Sequence, residues 1–239
     1  MQFSKKEITH LIIAVVIAAF IFSFKEWGYE TFSLKIGIVN FIRALLICTL
    51  IFPLRSLAQK FLAEKYDCSS NFTLPYINSK TEITKYFGPL TTIIITLISN
   101  GKFLLPILSS FDLKISKTTR TGRKWSNIRE FEIGKIGLMG PLTDVILLTM
   151  FKILLPLSSF FFTKAMFIAS SLAIFNMLPL PKLDGERIFF GSKYLYLFAV
   201  VFIIAYIALI YIISIKYALI LATFMALIIL IKFFSKTLD

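Results

Sequence analysis

The chain has 239 residues, 57% of them hydrophobic and 16% charged, with a mean hydropathy of +0.83. A soluble domain carries about 25% charged and 45–50% apolar residues, so this composition excludes an ordinary water-soluble fold. The net charge of +13 does not indicate nucleic acid, because Lys and Arg sit at the ends of apolar runs and in one internal loop, where they meet anionic headgroups.

Roughly 20 apolar residues cross about 30 Å of hydrocarbon as a helix. The first apolar run, Leu11 to Phe24, follows Lys5 and Lys6, which favour a cytoplasmic N-terminus by the positive-inside rule. A signal peptide would share that basic start. No small-residue cleavage site follows, however, and Lys25-Glu26-Trp27 reads as an interfacial anchor, so a retained first helix is expected. His10, the only histidine, is expected at the interface. The next connection balances Lys25 and Lys35 against Glu26 and Glu30, as suits the outer side. Ile36 to Pro53 follows as a second helix holding Arg43, expected to snorkel to a headgroup, and Cys48; with Cys68 in a loop, the cysteines form no disulfide framework. Then come Arg55, Lys60 and Lys65, and a polar segment, Asp67 to Tyr86, in which small and β-branched residues alternate. Its Asn71-Phe72-Thr73 matches a glycosylation sequon, a pattern too short to weigh much.

The run Leu90 to Leu108 is broken by Asn100-Gly101 and has basic flanks on both sides, with Lys114, Lys117, Arg120, Arg123, Lys124, Arg129 and Lys135 after it. Cytoplasmic flanks at both ends would require it to dip in and return, which is tolerated where protein or water covers the backbone. A plain crossing with a basic loop outside is the alternative. Ile136 to Leu157, Ala165 to Leu178, Leu195 to Ile215 and Tyr217 to Phe234 complete the runs. The expected fold is therefore an all-α polytopic membrane protein of about six transmembrane helices plus a re-entrant or hairpin segment. It forms a single membrane domain, 1–239: a first helix and outer loop (1–35), a core (36–190) and two C-terminal helices (191–239).

Charges inside apolar runs cost about 3 kcal/mol on insertion scales, so they carry information. Gly140-Pro141-Leu142-Thr143-Asp144 places Asp144 just inside a helix N-terminus, where the dipole favours a carboxylate. The stretch from Phe175 through Asn176, Pro179 and Pro181 to Asp184-Gly185 sets two prolines at membrane depth, each removing a backbone donor and freeing carbonyls that the protein must satisfy.

That stretch resembles the N-x-x-P-x-P-x-L-D-G element of site-2 proteases, the intramembrane zinc metalloproteases. Further elements follow the same order over roughly residues 40 to 190. Gly140 to Asp144 resembles their G-P-x-x-N motif, with Asp in place of Asn. Gly122-Arg123-Lys124 and Gly134-Lys135-Ile136 resemble the segment before it, and Asn100-Gly101-Lys102-Phe103 resembles a loop after a membrane-associated hairpin. The resemblance implies a zinc site on an H-E-x-x-H helix, with the Glu as general base. The matching stretch here puts Arg55 and Gln59 at the His positions and Ser56 at the Glu position. Only Asp184 survives as a ligand position, so no catalytic residues and no cofactor are expected; zinc would enter only if this alignment were wrong.

The resemblance places Asp184 opposite this helix. Arg55 is therefore expected either to pair bidentately with Asp184, with Asp144 and Gln59 assisting, or to face the headgroups beside Lys60. The resulting reading is a catalytically inactive relative that binds or regulates transmembrane segments of single-pass clients, in contact with the bilayer and not with nucleic acid. Alternatives are a metalloprotease with an atypical site, a small transporter or channel component using Asp144 and Asp184, and a hydrolase using Ser56 with Lys60.

Overall fold

The structure, a computed structural model, describes residues 3–27, 32–76, 86–115 and 128–236. These contain α1 (Lys5–Ser23), α2 (Leu34–Lys65), β1 (Cys68–Thr73), α3 (Phe87–Ile98), β2 (Ser110–Ile115), α4 (Glu130–Leu154), α5 (Ser159–Asn176), α6 (Asp184–Gly191), α7 (Lys193–Ile210) and α8 (Ile215–Lys236). Six of these helices, α1, α2, α4, α5, α7 and α8, are long and apolar enough to cross a bilayer. The chain is a multi-pass integral membrane protein. Gly122-Arg123-Lys124 and the loop residues Lys117 and Arg120 lie outside the described residues.

Ser4 and Glu7 form a capping box that starts α1: the Ser4 hydroxyl accepts from the Glu7 N–H, and the Glu7 carboxylate accepts from the Ser4 N–H. The apolar run Ile36 to Pro53 lies within a longer helix: α2 runs on through Pro53 to Lys65 and so carries Arg55, Gln59 and Lys60 as well. A helix packed among others tolerates such a proline. Small and apolar residues of α1, α2, α4, α5 and α7, among them Ala18, Ala44, Cys48, Ile51, Leu148 and Ala169, interlock in one buried core. Close helix approach through small side chains is the usual packing mode in a bilayer. α8 packs chiefly on α7 and leaves most of its surface outward.

To the helices the structure adds a two-stranded antiparallel sheet, paired from Cys68↔Ile115 to Thr73↔Ser110. In β1, Cys68, Ser70 and Phe72 are buried, the period of two that one packed face imposes. The broken run forms a hairpin. α3 descends to a turn at Asn100 and Gly101, both with positive φ (48° and 67°), where a Cβ on Gly101 would lie 2.8 Å from the Phe24 ring at the far end of α1. The chain then returns in extended form. The Thr92 hydroxyl donates to the Leu105 carbonyl at 2.9 Å and accepts from the Ile107 N–H at 3.0 Å. Ile107 thereby arrives back beside Gly88, at the start of α3. The run goes in and comes out on one side, and the buried Thr92 hydroxyl meets backbone groups of the returning arm.

Candidate functional site

Three helices converge on one buried guanidinium. Arg55 of α2 donates through Nη1 to Asp144 Oδ2 of α4 and through Nη2 to Asp184 Oδ2 of α6. Gln59, one turn beyond Arg55, donates through Nε2 to the same Asp184 oxygen at 3.2 Å. All four residues are at most 1% exposed. Arg55 thus faces the carboxylates and not the headgroups. Planar Arg suits this task, because its fork meets two carboxylates at once where an ammonium offers a point charge.

The local sequence explains how the three are held. Pro179 and Pro181 lie in the break between α5 and α6, Lys182 turns the chain at φ 68°, and Asp184 opens α6. Gly185 lets that first turn fold back on the loop, since a Cβ there would sit 2.3 Å from the Met177 carbonyl oxygen and 2.4 Å from that of Leu178. The Tyr196 hydroxyl donates to the Met177 carbonyl at 3.1 Å, satisfying one group freed by the break. Asn176 is buried and donates to the Leu172 carbonyl at 2.8 Å within its own helix, so it is not brought to the charge cluster. Both prolines are exposed.

One expectation about Asp144 is overturned. α4 begins at Glu130 and passes through Pro141, so Asp144 lies mid-helix, far from the N-terminal dipole, and its partner is Arg55. Gly140, one turn earlier, admits the cluster to the helix surface. A Cβ at that position would lie 2.5 Å from Asp184 Oδ2 and 2.8 Å from both Arg55 Nη2 and Gln59 Nε2.

Ser56 does not join the cluster. Its hydroxyl points to Glu7 of α1 at 3.5 Å, and this carboxylate also takes the Lys60 ammonium at 2.7 Å and the Phe72 N–H of β1 at 2.9 Å. Glu7 is 1% exposed and ties α1, α2 and β1 together. Sequence reasoning missed it, although Ser4-x-x-Glu7 before an apolar run is a recognisable capping signature. That signature marks a helix start and says nothing of Lys60.

A second, partly buried pair escaped the reading as well. Lys164 of α5 donates to Glu26 Oε1 at 2.5 Å and to the Phe22 carbonyl at 2.6 Å, at the end of α1 remote from Glu7. Nearby, the Arg43 guanidinium stacks 3.8 Å over the Phe160 ring and donates to Asn40 at 3.4 Å. Cys48 and Cys68 are both buried, the Cys68 thiol donating to the Tyr66 carbonyl at 3.3 Å, and His10 is half-buried against β1.

Comparison with known proteins follows the same outline. Residues 7–194 match peptidase family M50. The protein of Methanocaldococcus jannaschii named "Putative zinc metalloprotease MJ0611" is 32% identical over 193 residues, covering 78% of this chain and 85% of that protein. No solved structure matches the chain. The match spans α1 through the start of α7 and so includes every residue of the Arg55 cluster. With that extent of agreement, the chain belongs to peptidase family M50, the site-2 protease family.

Proposed function

We propose that this chain is a site-2 protease-like membrane protein that does no zinc proteolysis and instead binds transmembrane segments of other proteins. One observation carries the reading: Arg55, where the family resemblance expects a metal-ligating His, lies as a buried cation between Asp144 and Asp184. A catalytic zinc takes three protein ligands as a rule. Arg offers no lone pair, and its guanidinium engages one oxygen of each of Asp144 and Asp184 and neutralises the pair. Among the described residues, no three His, Cys, Asp or Glu side chains are grouped to hold a metal. The residues do not fit zinc.

The other chemistries have less support. Lys60 pairs as an ammonium with Glu7, a poor state for a base that would activate Ser56. An ion path past Asp144 and Asp184 is disfavoured by the guanidinium that holds both. What the fold keeps is the helix break and a two-stranded sheet near it, where Lys182 lies over the Tyr76 ring and Arg187 over that of Phe111, features that suit recognition of an unwound or extended client. The basic Lys5-Lys6 start places the N-terminus on the cytoplasmic side in this reading.

The test is the zinc content of detergent-purified protein beside an Asp184→Asn control. Zinc near zero in both, together with client crosslinks along residues 67–76, supports the reading. Stoichiometric zinc lost on Asp184→Asn would overturn it and restore the protease.

A further inference from the structure

The end of the bundle remote from Glu7 gathers charges that the Arg55 cluster does not use. Lys164 of α5 gives its ammonium to the Phe22 carbonyl and to Glu26 Oε1. Arg43 of α2 stands beside this pair and is only half-buried. Its Nη1 makes one long bond, 3.4 Å to Asn40 Oδ1, and its Nε is buried with no partner. A guanidinium carries a fork of N–H donors, so protein groups leave this one far from satisfied. Among the described residues, Glu26 is the acid whose charge bears on Arg43. Arg43 and Lys164 set against Glu26 leave one positive charge uncompensated.

The level of that charge in the bilayer follows from its neighbours. Asn40 donates through Nδ2 to the Glu26 carbonyl at 2.9 Å, just past the end of α1. Trp27 lies against Gly37 of α2, where a Cβ would sit 2.1 Å from its ring, and Trp belongs at the headgroup level of a membrane protein. Arg43 follows Gly37 by less than two turns. Helical side chains lean toward the N-terminus of their helix, and the bond to Asn40 shows Arg43 doing so. The guanidinium therefore reaches toward the phosphates, away from the hydrocarbon. Its surroundings face lipid. Val39 and Leu46, one turn to either side on α2, are exposed, as is Phe160, over whose ring the guanidinium stacks at 3.8 Å. Lipid is what touches such a face, and the anion a lipid offers there is its phosphate.

We propose that Arg43 binds the phosphate of an anionic phospholipid where α2 meets the start of α5. Phe160 holds the plane of the guanidinium, and its free edge takes the phosphate oxygens as a fork. The uncompensated charge selects an anionic lipid over a zwitterionic one. The bound lipid touches both helices, through Arg43 and Phe160, and steadies their junction. This site is independent of the client-binding reading.

The full chain in detergent is titrated with phosphatidylglycerol and with phosphatidylcholine of the same acyl chains, and retained lipid is counted by native mass spectrometry. Wild type is expected to keep one phosphatidylglycerol with a preference of about fivefold, the size that one basic side chain confers at an anionic surface. Arg43→Met should lose that preference. Lys35→Gln, which removes an exposed lysine at the start of α2, should keep it. Phosphatidylglycerol should also raise the melting temperature of wild type and not that of Arg43→Met. Where Arg43→Met does not fold, Phe160→Leu, which removes the ring and leaves the charge, should weaken the preference. Equal retention of the two lipids by wild type, or an equal preference in wild type and Arg43→Met, would overturn the site. A loss in Lys35→Gln as large as in Arg43→Met would reduce it to general surface charge and overturn it too. Displacement of the lipid by inorganic phosphate would reveal a site for a soluble anion and overturn the lipid assignment.

Discussion

Gly140 of α4 faces the Arg55 guanidinium so closely that a Cβ on it would lie 2.8 Å from Nη2. The contact is closer still to the Asp184 carboxylate, at 2.5 Å, so the three-helix junction exists only because this position has no side chain. Gly140→Ala should cost about 1–3 kcal/mol through overpacking. Gly137→Ala, whose nearest neighbour would be the Asp184 carbonyl oxygen at 3.3 Å, should cost less. Thermal unfolding in detergent ranks the two, and equal stabilities would refute this account of the packing.

Removing the guanidinium leaves two carboxylates buried together without their cation. Arg55→Ala is expected to lose about 3–5 kcal/mol, the range for breaking a buried charge pair. Arg55→Lys should recover only part of that, because a point charge cannot bridge Asp144 and Asp184 as a fork does. An Arg55→Ala protein as stable as wild type would show that the cluster contributes nothing to the fold.

At the other end of the bundle, Lys164 and Glu26 lock α5 to the end of α1. The Lys164 side chain is 7% exposed and that of Glu26 34%, so the pair is only partly screened. A double-mutant cycle of Lys164→Met and Glu26→Gln should give a coupling energy of about 0.5–3 kcal/mol, as contacting residues do. Additive effects would mean that the Phe22 carbonyl alone holds the ammonium.

Thr92 supports the returning arm of the hairpin with one donated and one accepted bond. Thr92→Val keeps the shape and removes both, leaving the Leu105 carbonyl and the Ile107 N–H only the 2.9 Å bond they make with each other. A loss of about 0.5–1.5 kcal/mol is expected, together with faster labelling of a cysteine placed at Phe103 near the hairpin turn. Unchanged labelling would mean that the turn, and not Thr92, holds the arm in place.

Much of this was legible in the sequence. Long apolar runs allow few structures in a bilayer, since backbone groups must pair internally, and the spacing of those runs yields the helix count. The helix break was equally readable, because two prolines one residue apart cannot continue a helix. The motif order brought Arg55, Gln59 and Asp184 to one place on paper, and the structure sets them in contact. Asp144 was read as a helix-start residue because Gly140-Pro141 looks like a beginning. Only the path of α4 shows that the helix starts ten residues before Gly140 and passes through the proline.

What the sequence by itself determined is local: where hydrophobicity persists, where prolines interrupt it, and which charges must be buried. Tertiary structure decided which buried charge meets which. Glu7 and Lys60 are 53 residues apart, and Glu26 and Lys164 are 138 apart. No periodicity encodes such a pairing, because a carboxylate in low dielectric accepts any cation that packing delivers. The same holds for β1, whose edge residue Phe72 owes its partner to where the first turn of α1 happens to lie.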